Sequence, residues 1–466
     1  MSAMIHFGTD GWRARRDGGF TEENVIRVAD AVGSYWSQTA PGSVVYVGYD
    51  TRPGADLFAR TMGQVLAGYG LEVRVSDRYV PTPALSWAIA NEPRACGGVM
   101  ITGSHNSQDY LGIKLRISDG TMGSEELYEE VEDLIPFAPS SDKRGTFTQE
   151  DLVTPYLERL AGLVDAQKIA DARLKIIYDS MYGSASGHGS DILVRVGVET
   201  AEIHAVGTGN VEDIRPEPIE PWVDACENAV VSYGAQAGLI NDGDGDRIGA
   251  VDENGQFVSQ QKIIALVLGH LAINRGMTGR VVLNLASSVL ARRVAKDLGF
   301  RVVIKPIGFT HIYSEMKKGN VLIAGEEAGG IAVPELMPER DGLLMNLLLC
   351  ELMAESGKTL GELVADLERK YGKEYYARRD LRLAAEVTEA LRTVLPGLNP
   401  PMVAGRKPVS VSHMDGLRME FEDESWLLLR PSGTEPVVRV YAEASTVEER
   451  DSLLDAGCEI ARNVSY

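Results

Sequence analysis

The sequence predicts an α/β protein, with three similar mixed-sheet α/β domains plus a smaller C-terminal α+β domain, arranged around a central cleft. Three observations predict it. The 466 residues exceed the length at which one hydrophobic core stops growing, so several domains are required. Near-continuous apolar strands alternate with amphipathic helices, the pattern of strands covered on both faces. One strand–turn–helix–strand–strand pattern occurs three times before the texture changes near Lys370.

The first copy runs "VVYVGYDTRPGADLFAR", "LEVRVSD" and "GGVMITGSHN". The second runs "LKIIYDSMYGSASGHGSDILVRVG", "AEIHAV" and "AGLINDGDGDR", and the third "RVVLNLASSVLARRVAKDLGF", "RVVIKPIG" and "VLIAGEEAGG". Each opens on an apolar strand and a Ser/Gly/Thr-rich turn, and its third strand ends in a polar loop. Parallel pairing of these strands is expected. Beyond Lys370, "KEYYARRDLRL" and "VSVSHMDGLRMEF" read as short strands around a helix, "ESWLLLRPSGTEPVVRVYAEAS" as a hairpin turning at Pro431 to Glu435, and "TVEERDSLLDAGCEIARNV" as a closing helix. The expected domains are 1–150, 151–256, 257–370 and 371–466.

Composition narrows the function. A formal charge of −21 argues against nucleic acid, whose phosphate backbone demands a basic surface. It leaves room for small anions in a locally cationic cleft. The most apolar stretches, such as Ile263 to Leu268, fall far short of the roughly 20 residues of a membrane span. The start, "MSAMIHFGTDGW", lacks a basic and apolar leader. Four scattered cysteines without a C-x-x-C pair suit reduced thiols. A cytoplasmic protein without a membrane or nucleic-acid partner, acting as a monomer or homodimer, is expected.

In open α/β sheets ligands bind beyond the carboxyl ends of the strands, which directs attention to "TGSHN", "NDGDGDR" and "GEEAGG". "DGDGDR" places Asp242, Asp244 and Asp246 at alternate positions. Carboxylates converging there call for a hard cation such as Mg²⁺ or Ca²⁺. An EF-hand fails on Arg247 at the sixth position and on flanking strands, although Glu253 falls at the twelfth. A solvated acidic turn is the plainer alternative. "RPSGTEP" offers Arg430, Ser432, Gly433 and Thr434 as a phosphate cradle by type, though a simple hairpin turn would need only its Ser-Gly. Glu326 and Glu327 suit sugar hydroxyls or, equally, a helix N-terminal turn. Gly308 to His311 end another strand and could line a ligand. Arg13 and Lys114 gain weight only from the pattern around them.

Together "FGTDGWR", "TGSHN", "DGDGDR", "GEEAGG" and "RPSGTEP", in order along the whole chain, resemble the α-D-phosphohexomutase family, of phosphoglucomutase/phosphomannomutase type. The resemblance implies reversible phosphoryl transfer between C1 and C6 of a hexose phosphate through a phosphoserine and a hexose 1,6-bisphosphate, with glucose favoured and mannose or glucosamine as alternatives. It implies that Ser104 carries the phosphate, that Mg²⁺ is held by Asp242, Asp244, Asp246 and the phosphoserine, and that Arg13 and Lys114 surround the transferring group and assist proton transfer. Arg247, Glu326 and Gly308 would meet the sugar, and Arg430, Ser432, Gly433 and Thr434 its non-reacting phosphate. His105 would touch phosphate or shape the loop, since adjacent side chains on an extended loop point apart. Departures from the family pattern fall at Ala328, Thr310, Ser107 and Leu111. A serine hydrolase is disfavoured by the missing G-x-S-x-G elbow. A non-catalytic phosphosugar-binding protein is the remaining alternative.

Overall fold

The computed structural model describes residues 5–8, 10–137, 144–208, 214–432 and 436–463. The first sheet contains β1 (Trp12–Arg15), β2 (Val44–Tyr49), β3 (Glu72–Ser76), β4 (Ala95–Ile101), β5 (Tyr110–Ile117) and β6 (Thr148–Glu150), in the order β1-β5-β4-β2-β3-β6. The second contains β7 (Lys175–Asp179), β8 (Glu199–Ile203), β9 (Ala237–Asn241), β10 (Ile248–Asp252) and β11 (Phe257–Val258), in the order β11-β10-β9-β7-β8. The third, β13-β12-β14-β15, is built from β12 (Arg280–Asn284), β13 (Val302–Lys305), β14 (Val321–Gly325) and β15 (Ile331–Ala332).

The repeat is therefore real at the level of topology. In each sheet the three strands anticipated from sequence are parallel, as in β3-β2-β4, β8-β7-β9 and β13-β12-β14. A fourth strand then returns antiparallel to the third. This makes the sheets mixed, and it turns each polar loop into the tip of the hairpin between third and fourth strands. The three loops thus occupy one equivalent position at the carboxyl end of a central strand.

Apolar burial ties these domains together. One cluster runs from Val44 and Met100 through Tyr156 and Ile176 to Leu283 and Leu344, so the first three domains share a continuous core. The Gly342–Ser356 helix, "GLLMNLLLCELMAES", lies in it and is apolar nearly all round, as a helix wrapped by neighbours must be. Asp341 caps this helix by accepting from the Leu344 amide.

The C-terminal domain differs. Its strands β16 (Tyr375–Arg382), β17 (Ser410–Ser412), β18 (Leu417–Glu420), β19 (Trp426–Pro431) and β20 (Val437–Ala444) form an antiparallel sheet, β16-β20-β19-β18-β17. Alternation sends Leu427, Leu429, Val438 and Val440 into a separate core under the Val447–Asn463 helix. The opposite face carries Trp426, Leu428 and Tyr441 against Leu285 and Val289 of the third domain. Glu443 reinforces this seam, accepting from the Val289 amide at 2.9 Å and the Trp426 indole at 2.8 Å.

Candidate active site

Ser104 sits at the tip of the β4–β5 hairpin, fully buried, with φ +48. A non-glycine residue in that left-handed region is strained, and the surroundings must hold it there. Arg52, itself buried, donates to the carbonyls of Ser104 at 2.6 Å, Asn106 at 2.7 Å and Tyr110 at 3.0 Å. Asp50 pairs with Arg52 at 3.1 Å and accepts from the Thr102 hydroxyl and the Gly103 amide. The segment "YDTRPG" after β2 thus fastens the serine loop. The left-handed turn also corrects an expectation: the His105 ring does not point away, and its Nδ1 lies 3.4 Å from Ser104 Oγ. Burial, and then the positive charges of Arg247 and Arg13, push this imidazole well below its ordinary pKa, leaving it neutral.

Asp242, Asp244 and Asp246 occupy the equivalent hairpin tip between β9 and β10, and all three are fully buried. Glycine is needed beside them. A Cβ on Gly243 would lie 2.3 Å from the Ser104 carbonyl, so the two hairpin tips touch there backbone to backbone. Ser104 Oγ lies 3.4 Å from Asp242 Oδ2. Asp242 Oδ1 accepts the amides of Asp246 and Arg247. Thr82 donates to Asp244 at 2.6 Å. One oxygen of each of the three carboxylates falls within 4.8 Å of the others. Oδ1 of Asp244 and Oδ1 of Asp246 are buried without a hydrogen-bond partner among the described residues. Buried anionic oxygens left unsatisfied are costly unless a cation binds them, so the donor set fits a hard divalent ion. Burial and its two acidic neighbours push Asp242 well above the usual carboxylate range, which expresses the same frustration. Glu253 is not part of the set, because its carboxylate accepts from Thr359 and the Gly361 amide instead.

Lys114, on β5 and 1% exposed, reaches Asp244 at 2.7 Å, Asp10 at 3.1 Å and Asp246 at 3.2 Å. Burial alone would favour the neutral amine, but these three carboxylates overcome it and raise the pKa. The three carboxylates therefore favour its ammonium form, which suits it to stabilising charge or giving a proton. Arg13, brought alongside by β1–β5 pairing, donates to Asn106 Oδ1 at 2.7 Å and to Asp10 at 3.2 Å.

Arg340, which sequence reasoning passed over, joins these groups to the third domain. It contacts Asp246 at 2.8 Å, Asp10 at 3.0 Å and Glu326 at 3.0 Å, and its guanidinium stacks on Phe309, 5.0 Å from the ring centre. Two residues beyond Lys114, Arg116 is buried against Glu339 at 3.1 Å. Burial pushes the Glu339 carboxyl up to about 7.

Glu326 lies at the third equivalent tip, between β14 and β15, and its pKa is raised by burial against the pull of Arg340 and Arg247. Arg247 pairs backbone to backbone with Gly330, stitching the second and third tips together, and its side chain lies about 4 Å from Asp242 and Asp246. Gly308, with φ +125, precedes the Phe309–Met316 helix. In the C-terminal domain Arg430 bonds Asp415 at 2.8 Å, and the same Asp415 oxygen accepts the Ile307 amide at 2.9 Å. Ser432 is buried beside Arg430. Gly433 and Thr434 lie outside the described residues.

The sequence departures also have places. Leu111 is buried in β5, and Ser107 bonds Asp109. Thr310 Oγ1 is buried without a hydrogen-bond partner among the described residues, and Ala328 offers no side-chain oxygen at the Glu326 tip. The signal for Asp50 and Arg52 was present, since two charged residues follow an apolar strand directly. Nothing local marked Arg340 or Asp415, and Asp10 went unremarked inside "FGTDGWR".

Comparison with known proteins agrees with this four-domain fold. Four family descriptions match in order: "Phosphoglucomutase/phosphomannomutase, alpha/beta/alpha domain I" at residues 4–138, domain II at 154–255, domain III at 259–371, and the C-terminal domain at 378–459. The chain is 30% identical to a phosphoglucomutase/phosphomannomutase of Thermococcus kodakarensis, over 97% of this chain and 98% of the relative. It is 31% identical to a phosphoglucosamine mutase of Levilactobacillus brevis, over 96% of each. Among solved structures, a candidate phosphomannomutase from Thermus thermophilus superposes with a TM-score of 0.87 at 32% identity, covering 99% of this chain and 100% of that one. The fold extends to an Aspergillus fumigatus N-acetylphosphoglucosamine mutase solved with GlcNAc-6P and magnesium, with a TM-score of 0.65 at 15% identity over 99% and 95% of the chains. The four consecutive domain matches, with three hairpin tips converging on one buried acidic centre, show that this chain belongs to the phosphoglucomutase/phosphomannomutase family of the α-D-phosphohexomutase superfamily.

Proposed function

We propose that this mutase interconverts hexose 1-phosphate and hexose 6-phosphate, with glucose the favoured sugar and mannose or glucosamine the alternatives, through a phosphorylated Ser104 and a hexose 1,6-bisphosphate. The observation that carries the reading is the contact of two hairpin tips: Ser104 Oγ stands 3.4 Å from Asp242 beside carboxylates with unsatisfied oxygens. Asp242, Asp244 and Asp246, with the phosphoserine, would hold Mg²⁺. When bound, that ion withdraws charge from the phosphoryl group being transferred.

The chain's own residues account for the rest. Phosphoryl transfer asks the protein mainly to align the incoming and leaving oxygens and to neutralise charge on the others. Arg52 fixes the Ser104 backbone, so the serine oxygen is aimed before substrate arrives. Lys114 and Arg13 supply positive charge beside it. The P–O bond to Ser104 breaks as one forms to the sugar hydroxyl, whose proton is released while the departing Ser104 oxygen gains one, giving the bisphosphate; the sugar then turns end over end, and its other phosphate returns to Ser104 with the reverse proton exchange. Arg247, Glu326 and Gly308 line the sugar's place, His105 contacts phosphate, and Arg430, Ser432, Gly433 and Thr434 grip the phosphate that is not reacting.

The test is a coupled assay with glucose, mannose and glucosamine 1-phosphates, Mg²⁺ and a trace of glucose 1,6-bisphosphate, alongside intact-mass detection of phosphate on Ser104. Ser104→Ala is expected to abolish turnover and the covalent phosphate. Normal turnover by that variant would refute the mechanism.

A further inference from the structure

We propose that Asp415 is a positioning residue that sets Arg430 for the distal phosphate and latches the C-terminal domain to the third domain; this rests on the phosphosugar reading above. The observation is one carboxylate oxygen with two donors from two domains. Asp415 Oδ2 accepts Arg430 Nε at 2.8 Å from β19 and the Ile307 amide at 2.9 Å from the loop after β13.

Local structure aims the carboxylate. Gly416 adopts φ +90, and a Cβ there would lie 2.2 Å from the Leu429 carbonyl, so the turn before β18 packs directly against β19 one residue from Arg430. Only glycine fits, and Asp415 is thereby held at the edge of the sheet facing the third domain. Asp415 and Arg430 are each about four-fifths buried, which strengthens a charge-assisted bond over an exposed one. A guanidinium engaged through Nε has its plane fixed, which is what two-pronged recognition of a phosphate requires.

The second bond gives the carboxylate its further role. Ile307 directly precedes Gly308, which starts the helix whose Phe309 supports Arg340, and Arg340 contacts Glu326 and Asp246. A shift of Asp415 with the C-terminal domain therefore pulls on the backbone that borders the sugar's place. Beside the apolar seam, the Glu443 contact and the ion pairs of Arg292 with Glu420 and Arg293 with Glu424, this is a further polar tie across the joint, and it is the one that also holds Arg430.

The experiment compares wild type, Asp415→Ala, Asp415→Asn, Arg430→Ala and the Asp415→Ala/Arg430→Ala double variant, all checked for unchanged melting. With glucose 1-phosphate, Asp415→Ala is expected to raise KM about tenfold with kcat nearly unchanged. Asp415→Asn keeps an oxygen for both donors and is expected to recover most of that loss. In the Arg430→Ala background, removing Asp415 should add little, because both act through one guanidinium. Full additivity, or an unchanged KM in Asp415→Ala, would overturn the positioning role. Small-angle scattering of the ligand-free proteins reads the latch without any sugar: Asp415→Ala should be more expanded than wild type and Asp415→Asn should not. Identical scattering overturns the latch. A wild-type protein inactive on every hexose 1-phosphate would instead remove the proposed function, and the scattering result would still decide the latch.

Discussion

The two ends of the cleft are built on different terms. At the transferring end, Ser104 and the aspartate loop belong to domains that share one core, and Arg52, Asp50, Thr82 and Lys114 hold them through buried bonds. At the distal end, Arg430 sits on a domain with its own core, joined to the rest by an apolar seam and by carboxylates such as Asp415 and Glu443. On the proposed function, this contrast assigns a fixed geometry to the chemistry and a grip that can yield to a sugar that turns over within the cleft. Losses at the first end should appear in kcat and losses at the second in KM.

The largest effect is expected from Asp244→Asn. It removes a carboxylate that faces both Lys114 and the cation position, and kcat should fall by about 10³-fold or more, with Mg²⁺ affinity by calorimetry reduced in parallel. Chelation by EDTA should mimic the loss in wild type and be reversed by Mg²⁺. Next, Arg52→Met leaves Asp50 buried and unpaired and frees the strained serine loop. A kcat loss of about 10²-fold with little change in KM is expected, together with about 3 kcal/mol lost in denaturant melts. An equal rise in KM would blur the distinction between the two ends. Arg430→Ala should give the mirror image, a KM raised about 10- to 100-fold with kcat nearly retained.

The smallest effect concerns pH. Burial, resisted by bonds from the Leu344 amide and Tyr156, pushes Asp341 from 3.8 up to about 7. A carboxyl raised on folding is bound to its proton more tightly in the native state, so its stability contribution is full below its unfolded value and lost as pH rises through about 7. Asp341→Asn, which keeps an acceptor for the helix cap, should therefore flatten the decline in melting temperature between about pH 4 and about pH 7. Equal declines in both proteins would contradict this assignment.

Much of the frame was legible because it is written locally. Apolar runs of strand length, glycine-bearing turns and polar loops at strand ends located the three hairpin tips and the serine, and the charge alternation of "DGDGDR" announced a cation. The antiparallel fourth strands were harder to read, since "YLGIKLRI" and "IGAVD" carry no mark of direction. What escaped was written across long separations. Asp10 and Arg340 meet although 330 positions apart, and Asp415 matters only because a loop of another domain comes to it. The orientation of His105 depended on a single backbone angle at Ser104, which composition does not encode. Lys114 was found through the family resemblance, but its three carboxylate partners needed the fold.

The equivalence of the three hairpin tips has an evolutionary consequence. A strand order used three times delivers a loop to the same cleft whatever that loop contains, so each tip can change its chemistry without disturbing where it points. On the proposed roles, a nucleophile, a cation site and a sugar contact occupy three copies of one turn position. On that reading, substrate range drifts by editing the third tip, while the first two stay bound to each other through Gly243 and Ser104.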